Sequence, residues 1–146
     1  MECLAYLAAL CIDPMRFAEE DVVFHIDNVA SVMALRKGYS KDLLASTIVR
    51  ASRVVAASLG CSLYATWERR RSTRGSIIAD DLTHNLVGSL NREELQAYLD
   101  KGLVKFPEPM LEWMAQPKVD LTLGRKCVMW ICERFPEVVF LRPNLK

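Results

Sequence analysis

Three acidic residues have the types and positions needed for metal chemistry. Asp27 directly follows a β-branched and aromatic run, and Asp80 lies beside the apolar stripe of a short predicted helix, while Glu2 opens the first predicted helix. Carboxylates that converge from a strand end and two helices can hold Mg²⁺, which prefers oxygen ligands, and two such ions can activate water for phosphodiester cleavage. The spacing leaves a second interpretation open, in which Asp27 caps the following helix and Asp80 is a solvated surface residue.

Arginines form the densest charge cluster of the chain. The cluster follows the second predicted strand and consists of Arg69, Arg70, Arg71 and Arg74, while Lys37 belongs to a second, weaker basic patch. Such side chains could contact the phosphates of a nucleic acid. The alternative is a solvated loop, or arginines that pair with acidic groups of a partner. The formal net charge is +1, so any attraction to nucleic acid has to come from a local patch of this kind.

The elements that position these residues form a predicted β-α-β unit. In the first strand only His25 is polar, which suits burial on both faces and favours a hydrogen-bonded structural histidine over a metal ligand. Ser40 is the expected N-cap of the longest helix. Strands joined in this way run parallel, so their carboxyl ends share the rim where ligand sites of open α/β sheets lie. The unit consists of strands over residues 22–26 and 62–67, helices over 29–37 and 40–59 between them, and a helix over 76–83 after them.

The C-terminal part has a different, helical character. The apolar face of its second helix is expected to be Met110, Leu111 and Met114, and Asp120 is the expected cap of its third helix. A short strand over residues 138–141 is expected last. The sequence therefore predicts a core domain over residues 1–86 and a helical extension over 87–146. The three predicted helices of the extension cover residues 91–101, 107–116 and 120–134.

Composition limits the class of protein. The chain has 146 residues, of which 51% are hydrophobic, enough for a core without disulfide or metal staples. The five cysteines all lie in apolar stretches and form no Cys-x-x-Cys pair, which indicates buried, reduced thiols. The longest apolar run is too short to cross a bilayer, and the N-terminus does not have the pattern of a signal peptide. We therefore expect a soluble intracellular protein without a membrane partner.

Several motifs, in order, resemble ribonuclease H domains of reverse-transcribing mobile elements, and most closely those of the DIRS-like tyrosine-recombinase retrotransposons. HIDNVASV at residues 25–32, followed by RKGYS at 36–40, is similar to the family's "TDN-x-A…KG" segment. ADDLTH at residues 79–84 resembles its closing "ADALSR" segment, and MECLA with AAL at residues 1–10 looks like its first helix. Residues 109–121 are similar to the stretch that follows the nuclease.

The resemblance implies a fold and a set of site residues. The fold would be a truncated ribonuclease H-like β-α-β core with a C-terminal helical extension. The metal ligands would be Asp27, Asp80 and Glu2, with Asp81 as a less favoured register of the second. The chain differs from the family in two respects. The hairpin sheet that carries the family's first catalytic aspartate has no counterpart, and the loop before the last helix is rich in arginine.

The missing sheet has a physical consequence. The strand from Val22 to Ile26 would be central in the family's fold, and without its neighbour it presents unpaired backbone groups along an apolar edge. We expect this edge to be paired, either by residues 138–141 folding back or by a strand of a protein partner or a second copy.

Two functions are consistent with the sequence. In the first, the chain is a retroelement-derived nuclease that cuts RNA in RNA–DNA hybrids with magnesium, and the arginine cluster holds the backbone. In the second, it is a non-catalytic structural or interaction subunit of a larger assembly, for which a nucleoprotein is one candidate. The resemblance favours nuclease ancestry, whereas the missing aspartate strand favours the second, non-catalytic function as the present activity; the sequence does not decide whether the chain is an enzyme.

Overall fold

The computed structural model describes residues 3–83, 93, 97 and 106–141. Glu2 and the predicted helix over 91–101, apart from residues 93 and 97, lie outside the described residues. The described part is a mixed α/β structure. Its elements are α1 (Cys3–Ile12), α2 (Pro14–Phe17), β1 (Asp21–Ile26), α3 (Val29–Lys37), α4 (Leu43–Leu59), β2 (Ser62–Trp67), α5 (Arg74–Thr83), α6 (Glu108–Ala115), α7 (Leu123–Arg134) and a 3-10 helix (Pro136–Leu141).

The β-α-β unit predicted from the sequence is confirmed. Strands β1 and β2 pair in parallel, from Asp21 opposite Ser62 to Ile26 opposite Trp67. Helices α3 and α4 make the connection between them. Both strands therefore end at the same rim, and Asp27 and Glu68 are the residues that follow the two strands there.

Capping residues set the bounds of the two connecting helices. The Asn28 side chain accepts a hydrogen bond from the Ser31 amide at 3.1 Å and begins α3. Gly38 ends α3 with a φ of 82°, a left-handed conformation that glycine adopts without steric cost. Helix α4 begins at Asp42, whose carboxylate accepts from the Leu44 amide at 2.8 Å. The prediction of Ser40 as this N-cap was wrong, because the Ser40 hydroxyl instead accepts from the Asp42 amide.

One face of the sheet is packed and the other is open. Ile26 and Ala65 are buried against Val32 of α3, and the Phe24 ring lies 4.7 Å from the Tyr6 ring of α1. On the opposite face, Val23 is 49% exposed and Tyr64 55% exposed. The prediction that β1 is buried on both faces was therefore wrong: the strand alternates between a buried and an exposed side, as its burial pattern records.

Helix α4 is the centre of the hydrophobic core. Its buried residues Ile48, Val49 and Val55 are fully enclosed, and they belong to one cluster with residues of α1, α6 and α7. Helices α4 and α7 approach each other closely at Gly124, where a Cβ atom would lie 3.0 Å from the Ala51 Cα atom. Residues on both sides of the predicted boundary at 86/87 thus share this core, while the boundary itself stays a prediction.

Cysteine side chains belong to the interior, as the sequence predicted. All five are free thiols and all are buried. Cys11 of α1 and Cys127 of α7 are hydrogen-bonded to each other, and this contact together with burial strongly raises the pKa of the Cys11 thiol. The five buried cysteines are Cys3, Cys11, Cys61, Cys127 and Cys132.

The C-terminal helices differ from the sequence prediction in their details. In α6 the buried residues are Met110 and Trp113, whereas Leu111 is 44% and Met114 40% exposed, so only Met110 of the predicted apolar face was correct. The buried Trp113 has its polar atom satisfied, since its Nε1 donates to the Lys118 carbonyl at 2.8 Å. The N-cap position of α7 is held by Thr122 rather than by Asp120.

The predicted C-terminal strand is not formed. Pro136–Leu141 is a 3-10 helix that follows α7 directly, and the Val138 amide donates to the Phe135 carbonyl at 3.1 Å within this turn. The prediction that residues 138–141 pair with β1 was therefore wrong. Within the described residues the sheet has only the order β1–β2, so pairing of the other β1 edge by a second chain stays a prediction. In the part of the chain that the structure describes, no helix combines the length and apolarity needed to cross a membrane.

Candidate nucleic-acid interface

The carboxyl ends of the two strands open into a polar cleft. Its volume is about 420 Å³. The walls come from α1, from the residues that follow β1 and β2, and from one side of α5. The lining residues are Ala5, Tyr6, His25, Ile26, Asp27, Glu68, Arg69, Arg70, Arg71, Ser76, Ala79 and Asp80.

Hydrogen bonds to the backbone carbonyls of Ile26 and Asp27 hold Asp27 at the end of β1. The Asp27 carbonyl accepts a hydrogen bond from the Trp67 indole at 3.2 Å. The Glu68 amide donates to the Ile26 carbonyl at 2.8 Å and extends the parallel pairing by one bond. The two strand ends are thereby fixed to each other, and the exposed Asp27 side chain is placed beside the residues that follow β2.

The arginines lie on a tight turn immediately after β2. The Ser72 amide donates to the Arg69 carbonyl at 3.2 Å and closes the turn. Arg71 has a φ of 55°, which is the left-handed region that non-glycine residues rarely adopt. From this turn Arg70 and Arg71 both contact the same side chain of α5, that of Asp80.

Asp80 accepts hydrogen bonds from two guanidinium groups. Arg70 donates to Oδ1 from Nε at 3.0 Å and from Nη2 at 2.7 Å, and Arg71 donates to Oδ2 from Nη1 at 2.8 Å. The hydrogen bond and the negative charge of Asp80 raise the pKa of the Arg70 guanidinium. A weaker contribution of the same sign comes from Asp27. The interpretation of Asp80 as a merely solvated residue is therefore wrong.

A second polar network fixes the beginning of the same loop. His25 Nδ1 lies 3.2 Å from Glu68 Oε2, and the Thr73 hydroxyl donates to Glu68 Oε1 at 2.6 Å. The Ser72 hydroxyl donates to the same oxygen at 3.3 Å. The hydrogen bond from Thr73, followed by the hydrogen bond from Ser72 and the charge of His25, lowers the pKa of Glu68.

Sequence reasoning did not single out Glu68. The expectation of a hydrogen-bonded His25 agrees with the contact observed, but its partner was not identified. One signal was available, because Glu68 follows β2 in the same way that Asp27 follows β1, and parallel strands place such residues at one rim.

The predicted site residues divide into three groups. Asp27 and Asp80 line one cleft together with the three consecutive arginines, Arg69 to Arg71. Arg74 begins α5 and Lys37 ends α3, and neither lines the cleft. Glu2 lies outside the described residues. Asn28, not Asp27, supplies the side-chain cap of α3, so that alternative role for Asp27 was wrong.

The described residues do not fit a magnesium site. Mg²⁺ needs several oxygen ligands in near-octahedral geometry, and both oxygens of Asp80 already accept from arginines. Among the described residues no group of three or more histidine, cysteine or acidic side chains is placed to hold a metal ion. What this cleft offers instead is a set of guanidinium groups, whose chemistry suits an anion.

No family model matches the chain, and neither the curated proteins nor the solved structures contain a significant match.

Proposed function

We propose that the chain is a ribonuclease H-like module of a reverse-transcribing element, and that it binds the backbone of an RNA–DNA hybrid in the cleft beyond β1 and β2. One observation carries this proposal. Asp27, at the end of β1, and Asp80, on α5, line the same cleft as Arg69, Arg70 and Arg71. These are the acidic residues that the sequence resemblance assigns to the nuclease centre, beside cations suited to phosphate.

The arginines have the exposure that a phosphate contact requires. The side chains of Arg70 and Arg71 are 59% and 44% exposed, and arginine forms bidentate, charge-assisted hydrogen bonds with phosphate oxygens. Because the whole chain is nearly neutral, binding would depend on this cluster rather than on net charge.

Fluorescence anisotropy with a labelled RNA–DNA hybrid tests the binding role. The Arg70→Gln/Arg71→Gln variant should bind at least about tenfold more weakly, and the slope of log affinity against log salt should fall in magnitude by about two. The charge-matched control is Arg50→Gln/Lys118→Gln, which removes two exposed cations remote from the cleft. Absence of hybrid binding by the wild-type chain, or equal losses in both variants, would overturn the proposal.

Cleavage of the RNA strand with magnesium is the further activity that the resemblance implies, and it stays a prediction. The resemblance implies that a hybrid labelled in its RNA strand is cut only when Mg²⁺ is added and that Asp27→Asn abolishes the cutting. The pairing of both Asp80 oxygens with arginines favours the opposite result, an uncut hybrid. Asp21→Asn is the matched control, because it changes an exposed carboxylate at the opposite end of the same strand. Failure to cut, or cutting that survives Asp27→Asn, contradicts a catalytic role for this cleft.

A second candidate is a non-catalytic interaction subunit. The observation that favours it is the open side of the sheet, where Val23 and Tyr64 are each about half exposed, beside a β1 edge that no described strand pairs. Edges of this kind are sites for pairing with another chain. Sedimentation should then show an assembly that Val23→Lys dissociates, whereas a wild-type monomer would speak against self-association at this face.

A further inference from the structure

We infer that Arg70 and Arg71 form the seat of one backbone phosphate, and that the Asp80 carboxylate occupies this seat in the free chain as an internal competitor. The inference rests on the proposed function, because the phosphate is that of the bound hybrid. In this role Asp80 opposes binding. It lowers the affinity for nucleic acid because a phosphate must displace it from the two arginines.

The contact geometry is that of an anion held between two guanidinium groups. One oxygen of Asp80 accepts two hydrogen bonds from Arg70, and the other accepts from Arg71, all at 2.7–3.0 Å. A phosphodiester group likewise presents two anionic oxygens, and arginine pairs with carboxylates and phosphates through the same donors. The carboxylate is therefore a chemical stand-in for the phosphate.

Exposure indicates the side from which a phosphate would arrive. The Asp80 side chain is only 17% exposed, whereas the Arg70 side chain is 59% exposed and that of Arg71 is 44% exposed. The carboxylate is thus more shielded than the two guanidinium groups, although all three side chains line the cleft. A phosphate can contact these groups from the cleft before they leave Asp80, so the exchange needs no opening of the core.

The loop that carries the arginines is anchored independently of Asp80. Glu68 accepts hydrogen bonds from Ser72 and Thr73, and it pairs with His25 of β1. The turn itself is closed between Arg69 and Ser72. These contacts would keep the arginine backbone in place when the Asp80 contacts are lost, so only side chains would move during the exchange.

The state in which the arginines pair with Asp80 and the state in which they bind a phosphate are close enough in free energy for exchange. Each of these ion pairs has an exposed guanidinium partner, and pairs with exposed partners contribute little, while neutralisation of backbone phosphates releases condensed counterions. A hybrid can therefore displace the carboxylate, and affinity is reduced by the cost of doing so. Removal of the competing charge should raise the affinity by about three- to tenfold.

The test compares hybrid binding by the wild type and Asp80→Asn, measured by anisotropy in a buffer that contains EDTA. We expect Asp80→Asn to bind about three- to tenfold more tightly. Asp21→Asn is the charge-matched control, since it removes one negative charge from the opposite end of β1, outside the cleft, and its gain should be less than about twofold. In the Asp80→Asn background, Arg70→Gln/Arg71→Gln should eliminate the gain.

The outcomes separate this inference from the proposed function. Unchanged or weaker binding by Asp80→Asn, or an equal gain in Asp21→Asn, overturns the inference while wild-type binding still supports the function. No binding by the wild type overturns the function itself. If Asp80→Asn does not fold, NMR of the wild type decides instead: addition of the hybrid must shift the Nε–Hε resonance of Arg70, and a resonance that stays unchanged at saturation refutes the exchange.

Discussion

The cleft is defined by a few charged side chains at the carboxyl ends of β1 and β2. Their residue types were readable from the sequence, because Asp27 ends an apolar run and the arginines are consecutive. The sequence did not show that Arg70 pairs with Asp80, because this contact joins a loop to a helix ten residues later and no local residue preference indicates it. Glu68 was missed for a similar reason, since its partners His25 and Thr73 come from a strand and a loop far apart in sequence.

Asp120 provides a prediction at the same scale, away from the cleft. Its carboxylate accepts from the Thr122 hydroxyl at 2.6 Å and from the Thr122 amide at 2.8 Å, and it pairs with Lys126 at 3.1 Å. These contacts, with the Thr122 hydroxyl first, lower the pKa of Asp120 from 3.8 to about 2. A lowered pKa means that the ionised carboxylate stabilises the folded chain, so its contribution is complete above the unfolded pKa and is lost as the pH falls through the folded one.

Asp120→Asn should therefore cost about 1–2 kcal/mol of unfolding free energy near neutral pH. The difference from the wild type should shrink as the pH falls from about 4 to about 2. Urea unfolding at several pH values measures this difference. A difference that is independent of pH would contradict the role assigned to the ionised carboxylate.

The helices and strands show where local sequence decides structure and where packing does. Helix α3 has the predicted bounds, because Gly38 ends it by a local mechanism that the sequence displays. Which face of a helix or strand is buried depends on the elements packed against it, and this part of the prediction failed. The sequence of β1 allowed burial on both sides, but α3 covers only the side of Ile26. The apolar 138–141 segment likewise continues from α7 as a 3-10 turn after Pro136.

The contact of α4 with α7 gives a prediction at the scale of elements. In Gly124→Ala the new Cβ atom would lie 2.7 Å from the Val54 Cβ and 3.0 Å from the Ala51 Cα, so the two helices would have to separate. Overpacking of this kind costs about 1–3 kcal/mol, which thermal or urea unfolding would detect.

Gly75→Ala is the matched control for this substitution. Gly75 also lies in a helix, α5, but its Cβ would meet only the Thr73 hydroxyl oxygen at 4.0 Å. The better helix propensity of alanine should leave the stability unchanged or raise it by up to about 1 kcal/mol. Equal effects of the two substitutions would show that the close approach at Gly124 does not limit the packing.

At the scale of the whole molecule, the core and the cleft meet at α1, whose Tyr6 packs against the core and also lines the cleft. The core is built around α4 and includes α1, α6 and α7, whereas the cleft lies at the end of the sheet beside α5. The sequence predicted the mixed α/β class through the order of its strands and helices. It did not predict the shared core, because contacts between α4 and α7 join segments about 70 residues apart. This arrangement leaves the arginine loop available for a ligand without disturbing the core.

The most direct test of a hybrid-binding cleft is NMR mapping of the wild-type chain. A short RNA–DNA hybrid would be titrated into the isotope-labelled protein in buffer that contains EDTA. The account predicts that the largest shifts occur at the backbone amides of Asp27, Arg70, Arg71 and Asp80, while α7 stays unchanged. Shifts confined to the exposed sheet face or to α7, or no shifts at saturating hybrid, would contradict it.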